Sequence, residues 1–275
     1  MESMLSLSYY TVPELTALDT VKVAAKTGCT HVGLRLLGGQ PGKSEMPLLA
    51  QKALRRELRR LMEDCGIGAL DANTARLVPE SEIDMYLPFL DAAHELGARH
   101  VLTTVDDHDR NRVQDNLVRL CDFAQERELT VDLEFVPWLK LSSVYDAGEL
   151  VTACDHSALG ITVDALHFHR SNASPTVLER MPRGWFRYMQ LCDISDDNLP
   201  QCKDDYIHEA TQERLAPGDG VIDLMALLGA LSKGIPIALE VPQARLAALV
   251  PAEERTKRLV TRTQTLLARL GQAAT

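Results

Sequence analysis

The sequence predicts an α/β protein, a single (β/α)8 barrel, and three observations carry that expectation. Short apolar runs alternate with longer segments of helical period along the whole chain, the pattern of repeated β-α units around a parallel sheet. Eight such runs occur, where an open doubly wound sheet usually has about five to seven strands. The turn after the first run reads SLSYYTVPE and has no glycine, so the phosphate-binding turn of a doubly wound nucleotide fold is missing.

The expected strands, in order, are Met4–Ser8, His31–Leu36, Ala69–Asn73, His100–Val105, Thr130–Phe135, Gly160–Ala165, Tyr188–Cys192 and Ile237–Val241. Helical periods between them cover Leu48–Asp64, Glu82–Leu96 and Arg112–Glu126, and Gly28, Gly66 and Gly97 stand where C-terminal caps are needed. A last helix over Ala252–Leu270 ends the pattern. Asp193–Gly220 reads as the longest stretch without regular structure; it is rich in acids, carries Lys203, His208 and Arg214, and on a barrel would cover the mouth. No linker or low-complexity tract divides residues 1–275, so one domain is expected.

Composition narrows the function. The formal charge of −10 opposes a phosphate backbone or an anionic membrane, so neither nucleic acid nor a membrane is an expected partner. The six cysteines (Cys29, Cys65, Cys121, Cys154, Cys192, Cys202) include no C-x-x-C pair and read as thiols of a reducing compartment, which predicts the cytoplasm. The N-terminal segment lacks the basic and apolar regions of a secretion signal, and no run is apolar enough to span a bilayer.

The segment GGQPGKS, from Gly38 to Ser44, resembles a phosphate loop but fails on spacing. The first glycine should stand at position 37, which is Leu37, so a surface loop is the better reading. A stronger signal lies towards the C-terminal ends of the last four strands, where Glu134, Asp164 and Glu240 close TVDLEF, GITVDAL and IALEVP and Gln190 lies in YMQLCD. Neighbouring barrel strands aim such residues at one point on the catalytic face. A lone acid at a strand end is more often a helix cap, but three carboxylates converging in a low dielectric repel one another unless a cation neutralises them. A divalent metal held by Glu134, Asp164, Gln190 and Glu240 is therefore expected, and oxygen-only ligation favours Mn²⁺ or Mg²⁺.

His167, three residues beyond Asp164, is a candidate for substrate contact or proton transfer. Arg35, Arg76 and Arg214 are candidate clamps for a carboxylate or phosphate; Arg214 is preferred because the PGDG turn after it would fold its loop over the mouth. Trp138 is a candidate wall of the pocket or a core residue.

At these residues the chain resembles the sugar-phosphate isomerase/epimerase superfamily, the xylose-isomerase-like TIM barrels. The resemblance rests on LEFVP at strand five, D-x-x-H at Asp164 and His167, a polar residue before Asp193, the E-A-x-x-x-R-x-x-P-G-x-G run from Glu209 to Gly220, and LEVP at strand eight. In that family the metal is held by Glu, Asp, His and Glu, so the resemblance implies Glu134, Asp164, Gln190 and Glu240, with Gln190 in place of the usual histidine. Some 3-dehydroshikimate dehydratases of this fold also carry a strand-seven glutamine. Glu209 is implied as a substrate contact, while Asn73 stands where relatives often carry an acid. The histidine-rich, three-zinc DNA-repair branch of the barrel is disfavoured by the missing ligands and the acidity.

The resemblance and the residues together predict a metal-dependent isomerase or epimerase of carbohydrate metabolism. It would abstract a proton next to a carbonyl of a small polyhydroxylated substrate, with Glu134, Glu240 and His167 catalytic and Arg214, Arg35, Trp138 and Glu209 binding substrate. A 3-dehydroshikimate dehydratase-like lyase is the first alternative, and a barrel that binds a ligand without catalysis is the second. A homodimer is the prior expectation for such an enzyme.

Overall fold

The structure, a computed structural model, describes residues 4–38, 46–197 and 199–273. The strands are β1 (Leu5–Leu7), β2 (His31–Arg35), β3 (Gly68–Leu77), β4 (His100–Val105), β5 (Thr130–Glu134), β6 (Leu159–Asp164), β7 (Phe186–Leu191) and β8 (Ile237–Leu239). Each pairs in parallel with its sequence neighbours, and β1 closes on β8 with Leu5 opposite Ile237 and Leu7 opposite Leu239, which makes a closed eight-stranded barrel. All eight expected strands are present. The third extends further than expected, because its register shifts between Ala72 and Ala75 and it continues along β4 to Leu77; Arg76 is therefore inside the strand.

The main core lies between the barrel's outer face and the helices. Helix Ala17–Thr27 turns Val21 and Ala24 inward, and helix Arg110–Gln125 does the same with Val113, Leu117, Leu120 and Cys121. Gly28, Gly66 and Gly97 take positive φ at the ends of their helices, as expected of C-terminal caps. Leu48–Asp64 is two helices rather than one, Pro47–Ala50 and Lys52–Cys65, with extended Gln51 between them. The Glu82–Leu96 pattern starts as a 3-10 turn, Ile83–Tyr86, before helix Leu87–Glu95, whose first turn holds Pro88; proline has no N–H to give and fits that place. No helix among the described residues is long and apolar enough to cross a membrane.

Inside the barrel a smaller cluster joins Leu70, Leu102, Tyr188 and Ala238. Strand alternation puts Asp132 and Glu134, Thr162 and Asp164, and Tyr188 and Gln190 on the inner side, and all of them are buried. Asp193–Gly220 is not without structure as expected. Its middle forms helix Lys203–Gln212, started by a capping box in which Asp205 accepts from the backbone N–H of Cys202. Most of the GGQPGKS segment, residues 39–44, lies outside the described residues.

Candidate active site

The four strand-end side chains meet at the C-terminal mouth. Asp164 ends β6 and caps the helix Ala165–Arg170. Its Oδ1 accepts from the N–H groups of Leu166 (2.7 Å) and His167 (3.2 Å). The D-x-x-H spacing therefore has a local cause: the aspartate starts the helical turn that carries the histidine. Asp164 Oδ2 accepts from Arg214 Nη1 at 2.7 Å. Arg214 Nη2 donates to Glu240 Oε1 at 3.3 Å, and Glu240 Oε2 accepts from Gln190 Nε2 (2.6 Å) and Ser8 Oγ (3.1 Å). Glu134, whose backbone pairs with Thr162, makes no side-chain hydrogen bond to another described residue.

The electrostatics follow from burial and from the charge count. Burial, with the like charges of Glu240 and Asp164, pushes the Glu134 carboxyl well above its ordinary value. Burial raises Glu240 to about 7, because the nearby Arg214 only partly offsets it. Burial also opposes ionisation of Asp164, but Arg214, His167 and the hydrogen bonds to Oδ2 and Oδ1 outweigh it and lower its pKa. Burial holds His167 down to about 4, so its ring is neutral near pH 7.

Two buried atoms here have no partner: Gln190 Oε1 and His167 Nδ1. One ligand atom each of Glu134, Asp164 and His167 lies within 4.8 Å of the others, close enough to hold one metal ion. This places His167, expected as a substrate or proton-transfer residue, among the candidate ligands. The donors suit a divalent cation: a neutral imidazole, an orphaned amide oxygen and carboxylates with one guanidinium to balance them.

A cavity of about 220 Å³ opens over these groups, and Glu134, His167, Arg214 and Glu240 line it. Trp138 lines it, its ring edge-on to His167 at 5.1 Å between centroids, and it also packs on the core. Arg76 and Lys203 add positive charge to the wall, and Arg76 also pairs with Asp106 at 2.6 Å.

Two expected substrate contacts are not brought to the cavity. Arg35 lies behind a tyrosine pair, its guanidinium 5.0 Å from the centre of the Tyr9 ring and 5.8 Å from that of Tyr10, and it lines a neighbouring cleft. Stacking on aromatic faces has taken the place of the clamp. Glu209 is held instead by Arg170, with Nε at 3.0 Å from Oε2 and Nη2 at 2.5 Å from Oε1, so it anchors helix Lys203–Gln212 to helix Ala165–Arg170. Arg214 does line the cavity, but its terminal nitrogens are engaged with Asp164 and Glu240.

Asp193 is a functional support that the sequence reading named only as a motif neighbour. It is fully buried. Its Oδ1 accepts from the N–H groups of Ile194 and Ile222, and Oδ2 from those of Gly218 and Gly220, all at 2.9–3.0 Å. A two-way backbone bridge between Asp193 and Leu215 completes the seat. One carboxylate thus folds the PGDG turn back onto β7 and delivers Arg214, next to Leu215, to the mouth. Asp71 was also missed: it sits below the site, where its Oδ2 accepts from Asn73 Nδ2 at 3.0 Å. Period-two alternation was the available signal, since Asp71 stands two residues before Asn73 on one strand and Asp132 two before Glu134 on another.

Fold and site together define a (β/α)8 barrel with a buried, carboxylate-rich pocket at its C-terminal face. The chain belongs to the xylose isomerase-like TIM barrel family, whose model matches residues 21–265. It is similar to a 3-dehydroshikimate dehydratase of Pseudomonas putida, 25% identical over 213 residues that cover 72% of this chain and 33% of that protein. It is also similar to an inosose isomerase of Bacillus subtilis, 27% identical over 121 residues that cover 43% of this chain and 41% of the relative. The chain thus spans about a third to two fifths of the length of these curated relatives. Among solved structures, the IolI protein with a bound zinc atom superposes with a TM-score of 0.80 at 19% identity, covering 97% of this chain and 99% of that one, a likeness of fold.

Proposed function

We propose that this chain is a divalent-metal-dependent enzyme that isomerises or epimerises a small polyhydroxylated carbonyl compound, a sugar or an inosose, by abstracting the proton next to the carbonyl. The observation that carries the reading is the charge count at the mouth. Three buried carboxylates, Glu134, Asp164 and Glu240, face one guanidinium, Arg214, and a divalent ion would cancel the two negative charges that remain. Glu134, Asp164 and His167 would hold the ion, with Gln190 Oε1 and Glu240 as further donors. The bound ion supplies a Lewis acid for the charge that develops on the carbonyl oxygen.

The chain's own residues do the remaining work. Glu240 faces the cavity, and burial raises it to about 7 in the metal-free protein, so there it keeps or loses a proton near neutral pH; its place on the cavity wall is what suits it to an acid/base role. Glu134 faces it from another strand with no side-chain hydrogen bond to restrain it, so the two carboxyls serve as the proton-moving pair. His167, kept neutral, presents an imidazole to the ion or to a substrate hydroxyl, and Trp138 excludes water from that side. Return of the proton to the neighbouring carbon gives isomerisation; return to the opposite face of the same carbon gives epimerisation.

A second reading, dehydration of a carboxylated substrate as in the dehydroshikimate dehydratase relative, is favoured by Arg76, Lys203 and Arg214 on the cavity wall. The same proton abstraction is then followed by loss of a hydroxyl. Two measurements test these readings. Metal content after purification without chelators should be close to stoichiometric and should vanish in Glu134→Gln with Glu240→Gln; equal metal in both refutes the site. A panel of ketoses, inososes and dehydroshikimate with Mn²⁺ or Mg²⁺ chooses between isomerase and lyase, and absence of turnover on every member favours a binding barrel.

A further inference from the structure

We propose that the cleft across Tyr9 from the mouth cavity is a second ligand site, which takes a carboxylate with an apolar body and holds it through Arg35. The proposal goes beyond the metal reading above and does not rest on it. The cleft lies between the 3-10 turn Tyr9–Thr11 and the start of helix Ala17–Thr27 on one side and β2 and helix Pro47–Ala50 on the other, and it encloses about 360 Å³. Its walls are nearly all apolar. Val12, Leu15, Leu18, Leu48 and Leu54 line it, and Leu15, Leu18 and Leu54 are only partly covered by the rest of the fold. An apolar cavity of about 150 Å³ holds benzene, so this one has room for roughly two fused rings or an aliphatic body of that size. Such a body would cover the exposed parts of these leucines, and removing that surface from water is the source of the affinity.

The polar groups of the cleft decide what the other end of the ligand must be. Thr16 and Thr20 line it, but their hydroxyls are spent: Thr16 Oγ1 donates to Asp19 Oδ2 at 2.7 Å, and Thr20 Oγ1 donates to the Thr16 carbonyl at 3.0 Å. Arg35 is the one charged side chain among the described residues that line the cleft. The rings of Tyr9 and Tyr10 lie against its guanidinium and answer part of its charge, but a ring face is no substitute for an oxygen acceptor. The Arg35 side chain makes no hydrogen bond or ion pair to another described residue, and its Nε is buried without a partner. A buried donor in that state is costly, and a carboxylate that accepts from Nε and a terminal nitrogen together removes the cost through two parallel bonds. One guanidinium with no second cation in the wall matches a singly charged carboxylate better than a phosphate.

Tyr9 lines both the cleft and the mouth cavity, so the test has to separate the two spaces. The metal-free protein is titrated with naphthoate and with the neutral naphthylmethanol by calorimetry, while NMR follows the leucine methyls and the Trp138 indole at the mouth. The proposal expects one naphthoate per chain, with the methyl signals of Leu15, Leu18 and Leu54 moving and the Trp138 signal still. Arg35→Gln should weaken naphthoate about tenfold or more and change the alcohol by less than about twofold. Arg35→Lys, which keeps the charge without the fork, should fall between and serves alone if the glutamine variant does not fold. Leu54→Trp, which fills the cleft from a partly covered position, should weaken both ligands. Naphthoate that moves Trp138 in place of the leucines, or that binds the Arg35 variants as tightly as the wild type, overturns the proposal. Absence of binding also overturns it and leaves the cleft to the chain itself. The metal measurement described above is read separately, so either reading can fail while the other stands.

Discussion

The two ends of the barrel interior hold buried acids under opposite regimes. Near the base, Asp132 is fully enclosed and fully partnered: Thr130 Oγ1 donates to Oδ2 at 2.5 Å, His100 Nδ1 lies 3.2 Å from the same oxygen, and Arg187 Nη1 donates to Oδ1 at 3.1 Å. Burial would raise this carboxyl, but His100, Arg187 and the Thr130 hydroxyl outweigh it and lower its pKa. Gly160 makes the contact possible, because a Cβ there would collide with Arg187 and lie 2.9 Å from Asp132 Oδ1. At the mouth, Glu134 has no side-chain hydrogen bond among the described residues and Glu240 shares its one cation with Asp164. An acid whose partners meet its charge stabilises the fold, whereas acids left with unanswered charge carry raised pKa values and mark a candidate functional site.

The largest expected effect tests the mouth. Replacing Glu134 and Glu240 together by glutamine should lower turnover by roughly a thousandfold while leaving the melting temperature of the metal-free protein unchanged or higher. A clear loss of stability would show that these acids are structural after all. The base should respond in the reverse way. Asp132→Asn strands Arg187 and should cost about 3 kcal/mol in a chelator-treated denaturant titration, with activity per folded molecule retained.

Between the two ends, Asp193→Ala removes an acceptor from four backbone N–H groups. The expected loss is about 2 kcal/mol, with faster proteolysis at residues 213–222. The last effect sharpens the pH dependence. Burial raises Asp71 to about 6, despite hydrogen bonds from Asn73 and Tyr188. A raised carboxyl destabilises the fold above that pH, and the penalty fades as pH falls from about 6 towards the ordinary 3.8. Asp71→Asn should therefore be about 3 kcal/mol more stable than wild type near pH 8 and nearly equal to it near pH 4. The lowered Asp132 has the opposite sign: its contribution is present above 3.8 and is lost as pH falls through its depressed value.

Much of this was legible in the chain. The eight strands could be placed because each is a short apolar run bounded by helical period, and β-α repetition leaves few topologies. Glu134, Asp164, Gln190 and Glu240 were legible for the same reason, since each lies towards the C-terminal end of such a run. Arg35, Glu209 and Arg214 were not assignable, because a long side chain takes whichever partner lies within reach, and those partners are distant in sequence: Tyr9 and Tyr10, Arg170, and Asp164 with Glu240. Helix Lys203–Gln212 was hidden by its polarity, which reads as loop until packing on the mouth supplies an apolar side.

The sequence by itself determined the barrel and the ring of oxygens at its mouth, because both follow from local period and from the direction in which a strand ends. The tertiary structure alone decided how the charges pair. A carboxylate satisfied by Arg187 and one left for an ion look the same in the chain, and they differ only in which cation the fold carries to within about 3 Å, where low dielectric makes the pairing decisive.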